Sequence, residues 1–307
     1  MKLRIATRGS RLAVWQAEHV AHLLSASTGV DAELVRVTSS GDRDQTSPVV
    51  ELRSQGLFTK EIQQAVLDGR ADLAVHSLKD LPTEETLGLV LAAVPERESV
   101  ADALICRSRN SLSDLPSGAR IGTGSRRRRA QLLSERRDLK MLDVRGNVET
   151  RLQKLDDGEF DALVLACAGL KRLGLEHRVS QMLPPEVMLS AVGQGALGIE
   201  ARVDAASTRE LLTGLNHSPT RAAITAERAL LAALRGGCSA PVGAWARIES
   251  AGQLKLEAVV LSLDGSRKLS AQGTASTVDA AELGQSVAAD LDRQGAAELI
   301  AASRQTE

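Results

Sequence analysis

One order of elements occurs twice within the first two hundred residues, and that repetition restricts the fold more than any other feature of the chain. The stretch "LRIATRGSRLAVWQAEHVAHLL", residues 3–24, reads as a short strand, a turn at Arg8-Gly9-Ser10 and a helix with apolar residues at helical spacing. Residues 119–136, "ARIGTGSRRRRAQLLSER", repeat the order: strand to Gly122, turn at Thr123-Gly124-Ser125, then helix. A second matched pair follows. "AVLDGRADLAVHSLKDL" and "KLDDGEFDALVLACAGL" each read as a helix end, an Asp-Gly turn, an Asp and a buried apolar strand. Aligned on Asp72 and Asp161, the strands Leu73–His76 and Ala162–Leu165 coincide. Strands alternating with helices imply mostly parallel sheets covered on both faces. The duplication implies two similar α/β domains. Between them, "LVLAAVPERESVADALICR" (89–107) contains two extended runs suited to act as hinge strands.

After "SAVGQGALGIEAR" (190–202) the pattern changes. An Ala/Leu/Arg helix over Thr220–Arg235 stops at Gly236-Gly237, strand-like runs follow with a hairpin turn at Asp264-Gly265, and a last helix begins near Asp279. This predicts a small α+β third domain. The expected boundaries are 1–95 with a return segment 196–213, then 96–195, then 214–307.

The four arginines Arg126–Arg129 raise nucleic-acid binding as a possibility, and composition weighs against it. The chain has 38 Lys+Arg against 39 Asp+Glu, a net charge of -1, where a nucleic-acid binder carries a basic surplus. Four aromatic side chains, Trp15, Phe58, Phe160 and Trp245, offer few platforms for single strands. The N-terminus lacks the apolar region of a secretory signal, and no uncharged apolar stretch is long enough to span a bilayer. Three widely spaced cysteines point to a reducing compartment, and the five histidines make no metal-ligand cluster with them. The expectation is a cytoplasmic protein with no metal, no nucleic-acid partner and no membrane partner.

In an open parallel sheet, ligands bind beyond the carboxyl ends of the strands. The turns Arg8–Ser10 and Thr123–Ser125 fall there, each opening a helix whose free N–H groups suit an anion. Ser10 and Ser125 serve equally as ordinary N-caps. In "VHSLKDLP", Lys79 and Asp80 stand at a strand's carboxyl end; Asp80 is either a turn residue or a group able to hold a developing cation and move a proton. In "RGGCSAPVG", Cys238 follows two glycines and is open to close approach, although a free cysteine is commonly an apolar filler. Arg145, Arg151 and Arg172 follow further strands and add guanidiniums suited to a polycarboxylate or polyphosphate.

With these residues assembled, the chain resembles the porphobilinogen deaminase (hydroxymethylbilane synthase) family. The resemblance runs nearly end to end through "RIATRGSRLAVWQA", "GLFTKEI", "ADLAVHSLKDLP", "IGTGSRRR", "DVRGNVETRL", "AGLKRLG", "AVGQGALGIE" and "GGCSAPVG", in that order. It implies two periplasmic-binding-protein-like α/β domains flanking a cleft plus a small α+β C-terminal domain. It implies a dipyrromethane cofactor attached to Cys238 by a thioether. Porphobilinogen units would be added to it with loss of ammonia, and hydrolysis would release a linear tetrapyrrole for haem biosynthesis.

Asp80 matches the family's catalytic aspartate. By position in the motifs, Lys79, Asp80, Thr123, Ser125, Arg127, Arg128, Arg145, Asn147 and Gln194 are implied cofactor contacts. Arg8, Ser10, Arg151 and Arg172 are implied contacts to porphobilinogen or the growing chain. A monomer is implied as well. The sequence departs from the family's usual residues at Gly9, Gly124, Arg126 and Arg129. Because helical residues advance by about 100° each, four arginines in a row cannot all face one ligand. Arg127 and Arg128 are assigned to the pyrrole carboxylates, Arg126 and Arg129 to solvent or nearby acids. The alternative reading is a non-enzymatic two-domain organic-anion-binding protein, which offers no role for Cys238 or Asp80.

Overall fold

The computed structural model describes residues 2–38, 59–108, 111–237, 239–249 and 252–305. Cys238 and the Gly56–Phe58 part of the "GLFTKEI" motif lie outside these described residues. The chain divides into two compact units, residues 1–98 with 195–221 and residues 99–194 with 222–307.

Unit 1 holds a five-stranded sheet in the order β2-β1-β3-β10-β4, formed by β1 (Lys2–Thr7), β2 (Asp31–Arg36), β3 (Leu73–Ser77), β4 (Leu89–Ala93) and β10 (Leu197–Arg202). Its helices are α1 (Arg11–Thr28), α2 (Lys60–Leu67) and α6 (Ala206–Thr213). Ala17, Val20 and Leu24 of α1, with Leu212 of α6, pack on one face of the sheet against Ile5, Val75 and Ile199. Ile62, Ala65 and Val66 of α2 cover the other face at Ala6, Ala74 and Leu89.

Unit 2 contains a second sheet in the order β7-β6-β8-β5-β9, from β5 (Asp102–Cys106), β6 (Arg120–Gly122), β7 (Lys140–Leu142), β8 (Ala162–Ala166) and β9 (Gln181–Leu183). Helix α3 (Arg126–Glu135) covers one face through Leu132, and α4 (Val148–Asp156) and α5 (Cys167–Arg172) cover the other through Leu152, Leu155 and Leu170. Buried on both faces, the central strand β8 reads as an unbroken apolar run, ALVLA, rather than an alternating one.

The duplication extends to individual hydrogen bonds. In unit 1, Arg4 N–H donates to Asp72 Oδ2 at 2.8 Å, its Nε at 3.2 Å to the same oxygen and its Nη2 to Oδ1 at 2.8 Å. In unit 2, Arg120 makes the same three bonds to Asp161 at 2.8, 3.3 and 2.9 Å. The Asp-Gly turns match as well: Gly69 and Gly158 adopt φ of 72° and 82°, which glycine reaches without a Cβ penalty.

In each sheet four strands run in one direction and one runs against them. The reversed strands are β10 in the first sheet and β5 in the second. The two extended runs expected as hinge strands are therefore ladder strands, β4 in the first sheet and β5 in the second. Residues 94–101 are the connection between them.

The rest of unit 2 is a three-stranded antiparallel sheet, β11 (Val242–Ile248), β12 (Gln253–Leu261) and β13 (Lys268–Ser276), packed on α7 (Ser218–Ala233), α8 (Ala280–Arg293) and α9 (Ala296–Gln305). The expected single last helix is two, because Gly295 at φ 101° turns the chain between α8 and α9. The expected glycine stop of α7 is displaced as well: Arg235 takes the left-handed conformation at φ 49°, while a Cβ on Gly236 would lie 2.9 Å from Leu231 Cδ1. Gly236 is there for close packing. Val259, Leu261 and Trp245 of the small sheet pack on Ala130 and Leu189, which joins this sheet to the rest of unit 2. At the hairpin, a Cβ on Gly265 would fall 2.4 Å from Ser134 N.

Candidate active site

In unit 2 the strands β6, β7 and β8 are parallel, so their carboxyl ends open on one edge. The residues following them are Thr123 to Ser125 after β6, Arg145 to Asn147 after β7, and Arg172 at the end of α5 after β8. The reversed β5 begins at this same edge, because its first residue, Asp102, pairs with Ala166, the last of β8.

Ser125 caps α3, its Oγ accepting the Arg128 N–H at 3.5 Å, and Thr123 Oγ1 accepts the Ser125 N–H at 3.2 Å. Asn147 caps α4, its Oδ1 accepting from Thr150 N–H and Thr150 Oγ1, both at 2.8 Å. Arg151 Nε donates to Gly146 O at 2.8 Å. Arg145, Arg151 and Arg172 are half-buried.

The arginine run separates by burial. Arg127 and Arg128 are buried, Arg126 is half-buried and Arg129 is exposed. The two buried guanidiniums share one carboxylate: Arg127 Nη1 approaches Asp102 Oδ2 at 2.7 Å, and Arg128 Nε and Nη2 donate to Oδ1 at 3.0 and 2.7 Å. Although consecutive on the helix, the long side chains converge from two sides on the two oxygens of Asp102. Arg127 Nη1 also donates to Leu189 O at 2.5 Å and Arg128 Nη1 to Val164 O at 2.9 Å. Gln194 Nε2 donates to Asp102 Oδ1 at 3.0 Å and to Val100 O at 2.7 Å. Complete burial acts to raise the Asp102 pKa; the charges of Arg127 and Arg128 outweigh it and hold the carboxyl well below the usual carboxylate range.

In unit 1, Arg8 and Ser10 follow β1, and Lys79 and Asp80 follow β3 on a single 3-10 turn over Leu78–Asp80. The strands β1 and β3 are parallel, so both pairs stand at one edge of that sheet. All four side chains are half-buried. Ser10 caps α1, accepting the Ala13 N–H at 3.4 Å. Ser77 is held by a reciprocal pair with Gln16, Gln16 Nε2 donating to Ser77 Oγ at 2.8 Å and Ser77 Oγ donating back to Gln16 Oε1 at 3.2 Å. Beneath this edge, His76 Nε2 lies 2.9 Å from Glu200 Oε2, and Gln63 Nε2 donates to both Glu200 oxygens at 3.1 and 3.0 Å.

Sequence reasoning missed Asp102, Glu200, Gln16 and Gln63. Two of them left a signal: Asp102 interrupts the apolar run "ADALIC" and Glu200 interrupts "LGIEA". A carboxylate inside a buried strand requires partners. Among the described residues no group of three or more His, Cys, Asp or Glu is placed to hold a metal ion, and no helix is long and apolar enough to cross a membrane.

The edge of unit 2 fits a ligand rich in carboxylates: guanidiniums that stay charged, hydroxyls of Thr123 and Ser125, and a helix N-terminus. Solved structures similar to the chain include the methionine-binding protein MetQ (14% identity, 70% of this chain and 89% of that one, TM-score 0.46). Another is a periplasmic substrate-binding protein of an ABC transporter from Coxiella burnetii (17%, 71% and 93%, TM-score 0.43). A curated relative, the porphobilinogen deaminase of Nitratidesulfovibrio vulgaris (strain DSM 19637 / Miyazaki F), is 47% identical over 305 residues, 98% of this chain and 96% of its own. The family model described as "Porphobilinogen deaminase, dipyromethane cofactor binding domain" matches residues 3–210, and "Porphobilinogen deaminase, C-terminal domain" matches residues 221–293. Matched by both models along most of its length, the chain belongs to the porphobilinogen deaminase family.

Proposed function

We propose that the chain is a cytoplasmic, monomeric transferase that condenses porphobilinogen units, with release of ammonia, onto a dipyrromethane carried by Cys238. Hydrolysis then frees the linear tetrapyrrole hydroxymethylbilane. Family membership supports the substrate and the cofactor class. The carboxyl-edge location of Asp80, half-buried on a one-turn 3-10 helix, is the observation that carries its role.

When bound, the dipyrromethane supplies the nucleophilic pyrrole carbon on which the chain grows. The work of the protein's residues follows from charge. As the aminomethyl C–N bond of porphobilinogen breaks and ammonia leaves, the substrate becomes cationic; a carboxylate at Asp80 stabilises that charge, and it accepts the proton lost when the new C–C bond forms. Lys79 lies beside Asp80 as a cation for a ligand carboxylate. Each pyrrole brings an acetate and a propionate, so the growing chain gathers carboxylates. Arg127, Arg128 and Arg145, with the hydroxyls of Thr123 and Ser125, hold those of the cofactor, and Asn147 and Gln194 keep the surrounding turns in place. Arg8, Ser10, Arg151 and Arg172 bind those of the substrate and the elongating chain. The three-domain division at 1–95 with 196–213, 96–195 and 214–307 belongs to this reading, supported by three separate sheets.

Intact-mass spectrometry tests the proposal. The purified protein is expected to carry the mass of two pyrrole units, absent from Cys238→Ser, and to gain further pyrrole masses on addition of porphobilinogen. An unmodified chain with full turnover refutes it.

A further inference from the structure

The duplicated sheets supply an internal control for the buried ion cluster of unit 2. Leu197 begins the reversed strand of the first sheet opposite Ser77, as Asp102 begins that of the second opposite Ala166. With the helix caps Ser10 and Ser125 aligned, Leu12 and Ala13 stand where Arg127 and Arg128 stand. The fold is therefore built in unit 1 with Leu, Leu and Ala at the three positions that carry Asp, Arg and Arg in unit 2. Burying such ions is costly, and apolar replacements of similar volume commonly leave stability unchanged or raise it. Folding does not account for the charges.

Donor capacity remains on Arg128. A guanidinium has five N–H donors; Asp102 and Val164 take three of those on Arg128, which leaves two for a ligand at the carboxyl edge. Asp102 itself is wholly buried, so it acts through the two guanidiniums it binds.

We infer that Asp102 is a positioning residue: by gripping Arg127 and Arg128 at separate oxygens, it presets both guanidiniums to receive the carboxylates of the covalently held pyrroles. Gln194 completes the grip. It lies at the point where the chain leaves unit 2, and it binds both Asp102 and Val100, close to the point where the chain enters unit 2. The inference rests on the proposed dipyrromethane chemistry.

The test uses the full chain expressed without cofactor, porphobilinogen as the probe, and two variants, Asp102→Asn and the triple Asp102→Leu, Arg127→Leu, Arg128→Ala that copies unit 1. Uptake of covalent pyrrole mass is followed well below each melting temperature, so that a purely structural role, which moves Tm, leaves the rate unchanged. Asp102→Asn is expected to load at least tenfold more slowly than wild type; the triple variant is expected to melt within a few degrees of wild type and to acquire no adduct. Wild-type loading rates in either folded variant overturn the inference. If both variants fail to fold, the cluster is structural and the inference is likewise overturned. Should the wild type itself take up no pyrrole mass, the proposed function has failed instead.

Discussion

The first sheet buries Gln63, His76 and Glu200 where the second buries Leu152, Leu165 and Ile105; the second buries Asp102, Arg127 and Arg128 where the first has Leu197, Leu12 and Ala13. The backbone skeletons agree down to the twin Arg–Asp clasps, and the strand orders are the same. The difference shows that one backbone tolerates either apolar or ionic filling at these sites, so the ionic set in each half is specific to that half's edge. The turns differ too: Thr7-Arg8-Gly9-Ser10 is one residue longer than Thr123-Gly124-Ser125, and the insertion brings in Arg8.

The comparison breaks most visibly at Asp80, whose counterpart in unit 2 is Gly169. Asp80→Asn is expected to lower turnover by about 10²–10⁴-fold, the range for a lost acid–base group, with an unchanged melting curve. Near-wild-type turnover would strip Asp80 of its role. A smaller effect is expected from Glu200→Ala, which removes the acceptor of the buried Gln63 amide: chemical denaturation should register a loss of about 1–3 kcal/mol.

Volume is traded between the halves as well. The first sheet pairs Ala6 with Ala74, the second Gly122 with Leu163. A Cβ on Gly122 would lie 2.5 Å from Leu163 Cδ2, so Gly122→Ala should cost about 1–3 kcal/mol by overpacking. In the double variant with Leu163→Ala the total loss should be less than the sum of the single losses; strict additivity would show that the two residues do not compete for space.

The finest expected difference is in acid. Asp102 titrates below the usual range when folded and near about 3.9 when unfolded. Its contribution to stability is therefore complete above that unfolded value and is lost as pH falls below it. Denaturation midpoints of the wild type and Asp102→Asn should keep a constant gap from neutral pH to about pH 5, then converge at lower pH. A gap that stays constant at low pH contradicts the ionised, paired Asp102.

Much of the site is legible in the order of residues along the chain. The turns at Ser10 and Ser125 and the strand preceding Asp80 follow from local periodicity and cap chemistry, which depend on neighbours a few residues apart, whereas the choice of Arg127 and Arg128 over Arg126 and Arg129 rests on their positions in the family motif. The reversed direction of β5 and β10, the split of the last helix at Gly295 and the displacement of the α7 stop to Arg235 do not follow, because strand pairing and close packing are settled by residues distant in sequence. Asp102 marks that boundary. The sequence alone determined that a carboxylate sits inside an apolar strand; only the tertiary structure decided its partners, by bringing residues 102, 127, 128 and 194 to one point. A buried charge requires a counter-charge, and the fold determines which one is within reach.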